Sequence, residues 1–128
     1  MFPYLSALEN VLLQTRFVAL SPTAALRERA QMLLGRVGVR ANADIAVLSR
    51  GEQQRVAVAR ALLVSPSVVL ADEPTASLDA NTAETVATML RDLCREQCST
   101  LIVATHDRDI ASAFDAIYDM ANSKITRR

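Results

Sequence analysis

The apolar positions of this chain keep two different rhythms. Up to about residue 40 they recur at helical spacing, and this stretch reads as helices only. Leu8, Val11 and Leu12 form one stripe, and Ser6 with Glu9 predicts a capping box at its start. Ser21 followed by Pro22 predicts a second helix start. That helix carries Leu26, Ala30, Leu33, Leu34 and Val37, with Gly35 and Gly38 at its fraying end.

From Val47 onward helices and strands alternate. The pattern predicts a helix from about Gly51 to Val64 and a buried strand from Val68 to Asp72. Asp79 caps the next helix, whose buried face holds Val86, Leu90, Leu93 and Cys94. A second strand is expected from Thr100 to Thr105, then a short helix starting near Asp107. The tail reads as a hairpin around Asn122 and Ser123. This order marks an α/β domain with a parallel sheet. Such sheets bind ligands at the carboxyl ends of their strands. Here those ends carry Asp72 with Glu73, and Thr105 with His106.

Composition narrows the classes. A chain of 128 residues is one domain or part of one, and at 51% apolar it can build a core. A net charge of zero speaks against a polybasic nucleic-acid surface. No apolar run reaches the ~18 residues of a membrane span. The start, "MFPYLSALEN", has neither the basic region nor the long apolar core of a signal peptide, so a soluble or peripheral protein is expected. Cys94 and Cys98, in the helical pattern "DLCREQC", are poorly placed for a disulfide, and His106 is the only histidine. They are expected to be reduced thiols.

Three groups of residues suit chemistry on phosphates. At the end of an apolar strand, Asp72 can hold Mg2+, directly or through water, while Glu73 points elsewhere and can polarise an attacking water. The same pair also suits a strand that merely meets a turn at Pro74. In "LSRGEQQR", Ser49 and Gly51 stand at a helix start, where exposed N–H groups and the helix dipole attract anions. An ordinary capped helix with an Arg-rich solvated face would read alike. His106 follows the second strand and suits either a hydrogen bond to a γ-phosphate or a cap on the next turn.

Order, spacing and strand context agree across the three. Together they resemble the nucleotide-binding subunit of ABC transporters. "LSRGEQQRVAVARAL" resembles the ABC signature and its helix, "VVLADEP" the Walker B strand with its catalytic glutamate, "SLD" the D-loop and "ATHD" the H-loop. "PYLSALENV" is similar to the segment just after the Q-loop, and "ADEPTASLD" to the form typical of lipoprotein-releasing and macrolide-exporter ATPases. The resemblance spans essentially the whole chain. It implies that Asp72 helps bind Mg2+, that Glu73 is the general base, and that His106 contacts the γ-phosphate. It further implies that Ser49 and Gly51 touch the γ-phosphate of ATP bound to the opposite subunit. Asp79 then helps couple the two sites across the dimer.

Two departures stand inside the signature, which usually reads Leu-Ser-Gly-Gly-Gln. Arg50 replaces the first glycine, at a cost of roughly 1 kcal/mol if its φ must be positive. Glu52 replaces the glutamine and would bring a negative charge near phosphates. A larger departure is that glycines 35, 38 and 51 and the single lysine, Lys124, cannot make the G-x-x-x-x-G-K-S/T loop that cradles β- and γ-phosphates.

The expected fold is therefore an incomplete P-loop NTPase: a helical subdomain over 1–47 and the C-terminal half of the ATPase core over 48–128, with the Walker A part, its first strand and its helix absent and sheet surface left exposed. The expected function is that of an ABC transporter ATPase subunit, using ATP and Mg2+, at the cytoplasmic face of the membrane. Its partners would be a second ATPase subunit and a membrane permease, with no nucleic acid, and the chain alone is expected to hydrolyse nothing. A competing reading is a non-catalytic module that pairs with an intact ATPase or docks on a permease near residues 1 to 20. ABC ATPases outside transport usually add long coiled coils or tandem domains, and neither pattern is visible here.

Overall fold

Ser6 opens α1 (Ala7–Leu12) through the predicted capping box. Its hydroxyl accepts the Glu9 N–H, while the Glu9 carboxylate accepts the Ser6 N–H at 2.8 Å and the O–H at 2.7 Å. The next two N–H groups of the helix, on Ala7 and Leu8, go to the carbonyls of Ala43 and Ala41, both at 2.9 Å. The orphan donors of this helix start are thus satisfied by a distant loop. This computed structural model describes residues 1–17, 21, 23–121 and 124–128.

After the short α2 (Gln14–Phe17), α3 runs over Ala24–Arg36. Its cap is Thr23, whose hydroxyl accepts the Leu26 N–H at 3.2 Å, rather than Ser21. Pro22 lies outside the described residues. Gly35 remains within the helix, and Gly38 closes it at φ +69°, with the Val39 N–H reaching back to the Leu34 carbonyl at 2.9 Å. The expected fraying is instead a defined left-handed cap.

A 3-10 turn at Ile45–Val47 leads into α4 (Arg50–Leu62), which starts one residue before the expected Gly51 and stops short of Val64. Then follow β1 (Val68–Asp72), α5 (Ala80–Glu96), β2 (Thr100–Ala104), α6 (Arg108–Ser112), β3 (Tyr118–Ala121) and β4 (Lys124–Arg127). Strands β1 and β2 are parallel, in register from Val68 opposite Thr100 to Asp72 opposite Ala104, with α5 as the crossover. β2 ends at Ala104, so Thr105 belongs to the following loop. β3 and β4 pair antiparallel as the expected hairpin. Its turn, at Asn122 and Ser123, lies outside the described residues.

Helices α1, α3, α4 and α5 share one core, in which Val11, Leu34, Val56, Leu62 and Val86 are fully buried. Each such side chain contributes about 1.5–3 kcal/mol. Val69 is buried in this core, and Ala71 and Leu101 pack against it. The other face of the sheet is open: Leu70 is 76% exposed, Ile102 54% and Val68 49%. The expectation of a fully buried β1 is therefore corrected. Alternate residues of a strand face opposite ways, and among the described residues helices cover one face only.

Candidate functional site

The parallel register brings the two strand ends side by side. Beyond the last pair, Asp72 with Ala104, the Glu73 N–H still donates to the Ala104 carbonyl at 2.9 Å. That bond holds Glu73 at φ +45°, in the left-handed region that a non-glycine residue enters at a cost of about 1–2 kcal/mol. Its carboxylate lies across the β2 end. It accepts the His106 N–H at 3.1 Å, contacts His106 Nδ1 at 2.8 Å and accepts the Thr105 hydroxyl at 3.4 Å. The Thr105 hydroxyl also accepts the Asp107 N–H at 3.1 Å, which stiffens the loop.

The His106 contact holds the Glu73 carboxyl below its ordinary value. In return the Glu73 carboxylate raises the His106 imidazole above its ordinary value. With Nδ1 engaged, Nε2 is left to face solvent, and the ring is 79% exposed. Asp72, one residue before Glu73, is exposed, and its carboxylate makes no hydrogen bond or ion pair among the described residues. Nor do His, Cys, Asp and Glu side chains gather in threes that could cage a metal among the described residues.

A second cluster forms at the start of α4. Ser49 caps the helix with its hydroxyl toward the Glu52 N–H, and Glu52 folds back to accept the Ser49 N–H at 2.9 Å and O–H at 2.7 Å. The Ser49 hydroxyl holds the Glu52 carboxyl below its ordinary value. Arg50 is the first helical residue and is not among those with positive φ, so the strain considered for it does not arise. Gly51 is buried, and a Cβ added there would come within 2.7 Å of Thr82 Cγ2 on α5. Asp79 caps α5 by accepting the Thr82 N–H at 3.1 Å.

The structure therefore joins Glu73 to His106, Ser49 to Glu52, and Gly51 through Thr82 to Asp79. Among the described residues, no hydrogen bond joins the Ser49 cluster to the strand ends. Sequence reasoning missed the residues that brace these groups. Gln53 donates from its amide to the carbonyls of Ile45 and Leu48, both at 3.1 Å, and pins the loop that carries Ser49. Asn10, fully buried, exchanges hydrogen bonds with Phe2 and donates to Leu5 and Ser6. It thereby fixes the segment Pro3–Ser6, one wall of an open groove of about 490 Å³ shared with Asn42, Asp44 and Ala46. A polar residue in the apolar stripe of α1 was the available signal for Asn10.

Comparison with known proteins bears on what these groups do. Residues 1–76 match the family described as ABC transporter. The lipoprotein-releasing system ATP-binding protein LolD of Maricaulis maris is 43% identical over 128 residues, covering 98% of this chain and 56% of that protein. LolD of Hydrogenovibrio crunogenus is 43% identical over 122 residues, covering 94% of this chain and 53% of its own. Among solved structures, the dimeric bacterial ABC transporter cassette MJ0796 superposes with a TM-score of 0.80 at 36% identity, over 99% of this chain and 57% of that one. This chain thus spans a little over half the length of the relatives it matches. It belongs to the ABC transporter family, and its fold is part of an ATP-binding cassette.

Proposed function

We propose that the chain is the part of an ABC transporter ATP-binding subunit that carries the signature, Walker B, D-loop and H-loop. Its relatives named as lipoprotein-releasing favour coupling of ATP hydrolysis to extraction or export through a membrane permease. The observation that carries this reading is the Glu73–His106 contact at the paired strand ends. An imidazole held through Nδ1 by a carboxylate stays protonated more readily and can offer Nε2–H to a γ-phosphate oxygen. Glu73 then holds both the imidazole and the water that attacks the phosphorus. A carboxylate kept below its ordinary pKa is a weak base, which suits a transition state that needs positioning more than proton removal.

Asp72 fits a Mg2+ that is held by a single protein carboxylate, water and phosphate oxygens, because its carboxylate is exposed and unengaged among the described residues. When bound, that ion would neutralise charge on the phosphates. Ser49 and Gly51, with Glu52 beside them, form the surface for ATP held on an opposing subunit, and Asp79 links the two sites. In this reading residues 1–47 are the helical subdomain and 48–128 the second half of the core. The groove walled by Pro3–Ser6 supports docking of the permease there, which would hold the subunit at the cytoplasmic membrane face. No described helix is long and apolar enough to cross a membrane itself.

The sequence contains no G-x-x-x-x-G-K-S/T, so the 128-residue chain by itself is expected to release no phosphate from ATP. Phosphate release by the purified chain, abolished by Glu73→Gln, would overturn that expectation. The composite site is tested by titrating the chain with an intact LolD cassette whose own catalytic glutamate is changed to glutamine, so that ATP persists. Association should require ATP and weaken roughly tenfold on Ser49→Ala, the size expected for a lost hydrogen bond to a charged group. Association indifferent to ATP and to Ser49 would refute the reading.

A further inference from the structure

Thr82 touches both the start of α4, at Gly51, and the cap of α5, at Asp79. Its methyl, Cγ2, would lie only 2.7 Å from a Cβ on residue 51, so the buried Gly51 is packed close against it. A separation under 3 Å between carbon atoms is far inside van der Waals contact, so any side chain at 51 must displace Thr82 or the helix start. On its other side the Thr82 N–H donates to Asp79 Oδ1 at 3.1 Å. The loop between Asp79 and Glu73 is itself tied down, with the Leu78 N–H on the Thr75 carbonyl at 3.0 Å and the Ala76 N–H on the Glu73 carbonyl at 3.3 Å. Thr75 is buried.

We propose that Thr82 is a positioning residue that sets the spacing between the signature turn at Gly51 and the carboxylate of Asp79. It rests on the composite-site reading above, in which Gly51 meets the opposing subunit's ATP and Asp79 links the two sites. A shift of the α4 start on phosphate contact presses on the Thr82 methyl. Thr82 lies in the first turn of α5 and is bonded to its cap, so the displacement reaches Asp79 and then the short hydrogen-bonded loop that ends at Glu73. Gly51 is needed in this scheme for two reasons: close approach of a phosphate, and room for Thr82. The helix itself supplies no third, since Gly51 lies within α4, has no positive φ, and alanine is the better helix former.

That division fixes the test. The variants Gly51→Ala, Thr82→Ser and the double variant are compared in the 128-residue chain by thermal unfolding and by ATP-dependent association with the LolD cassette described above. Thr82→Ser removes only the methyl that crowds the Cβ position. Gly51→Ala alone should lower the unfolding temperature and weaken association roughly tenfold. In the Thr82→Ser background the same change should raise the unfolding temperature, because alanine then acts only as a helix former. Association should return to within about threefold of the Thr82→Ser chain.

Equal weakening of association by Gly51→Ala in both backgrounds would assign the glycine to phosphate approach alone and overturn the role of Thr82. Equal effects on unfolding in both backgrounds would overturn the contact itself. If the wild-type chain associates without regard to ATP, the composite-site reading fails and the positioning role falls with it. The unfolding cycle, which needs no nucleotide, would still decide the contact.

Discussion

Glu73 is the most constrained residue of the site. It combines a left-handed backbone, a following proline and a carboxylate shared among one backbone N–H, one imidazole and the Thr105 hydroxyl. Residues before proline avoid the right-handed helical region, which narrows what else the chain can do there. Strain of this kind is usually kept where function requires it. Replacing Glu73 by Asn, a residue that tolerates positive φ, should stabilise the fold by about 0.5–1 kcal/mol while removing the carboxylate from the paired strand ends. Thermal unfolding reads that gain, and a fall in unfolding temperature would show that the contacts of Glu73 outweigh its strain. The ion pair has a signed pH dependence. His106 is raised above about 6.5, so its share of stability is complete below that value and fades as pH climbs through the folded pKa. Glu73 is lowered below about 4.5, so its share is complete above that value and fades as pH falls through the folded pKa. The pair therefore acts fully between about pH 4.5 and 6.5. An NMR titration of the single histidine should show an inflection above 6.5 that moves down on Glu73→Gln. An unmoved inflection would mean that the two side chains do not meet in solution.

Helix ends decide much of the rest. Among the described residues three segments leave a helix through a left-handed residue, and one of the three uses glycine: Gly38 after α3, Ser65 after α4 and Cys98 after α5. At the end of α5 the Ser99 N–H reaches the Cys94 carbonyl at 2.8 Å, the same closure that Val39 makes on Leu34. Cys98 thus lies past the helix, where the four-residue spacing of the cysteines had placed it on the helix. Both thiols are free, with Cys94 buried in the core and its thiol pushed up by burial. Changing Cys98 to glycine should stabilise the chain by about 1 kcal/mol, or roughly 4 °C, since glycine carries no penalty at positive φ. No gain would imply that the segment after α5 is not held in this turn. The contrast explains what the sequence discloses. Ser6 with Glu9, Ser49 at the start of α4 and Asp79 advertise themselves, because capping depends on local side-chain chemistry, whereas Gly38 marked the end of α3 but was expected to fray. Ser65, Cys98 and the positive φ of Glu73 do not, because tertiary packing imposes them against local preference. Asn10 shows only as a polar residue in an apolar stripe, and Gln53 not at all, because their partners are backbone carbonyls and, for Asn10, also the Phe2 N–H, groups that carry no sequence signature.

For the molecule as a whole, the open sheet face is the feature with the largest physical consequence. The alternation that buries Val69 turns Leu70 and Val68 outward, and the register sets Leu70 directly beside Ile102. Apolar neighbours on an exposed sheet, with strand edges that still have unpaired N–H and C=O groups, attract further strands or a second copy of the same face. The parallel sheet itself was legible from the helix and strand order. Exposed sheet surface was expected as well, but not which side of β1 it would be, because a run of apolar residues reads the same whether one face or both are covered. Replacing Leu70 and Ile102 by threonine puts a smaller, β-branched side chain that suits a strand at both positions and brings a hydroxyl to the open face in place of apolar carbon. The core should be untouched, since neither side chain belongs to it. Sedimentation over a range of concentrations should show self-association of the wild-type chain that is much reduced in the double variant, at an unfolding temperature within about 2 °C of the original. Association that persists at the same strength would move its origin to another surface, and the exposed hairpin residues Met120 and Ile125 would be changed next.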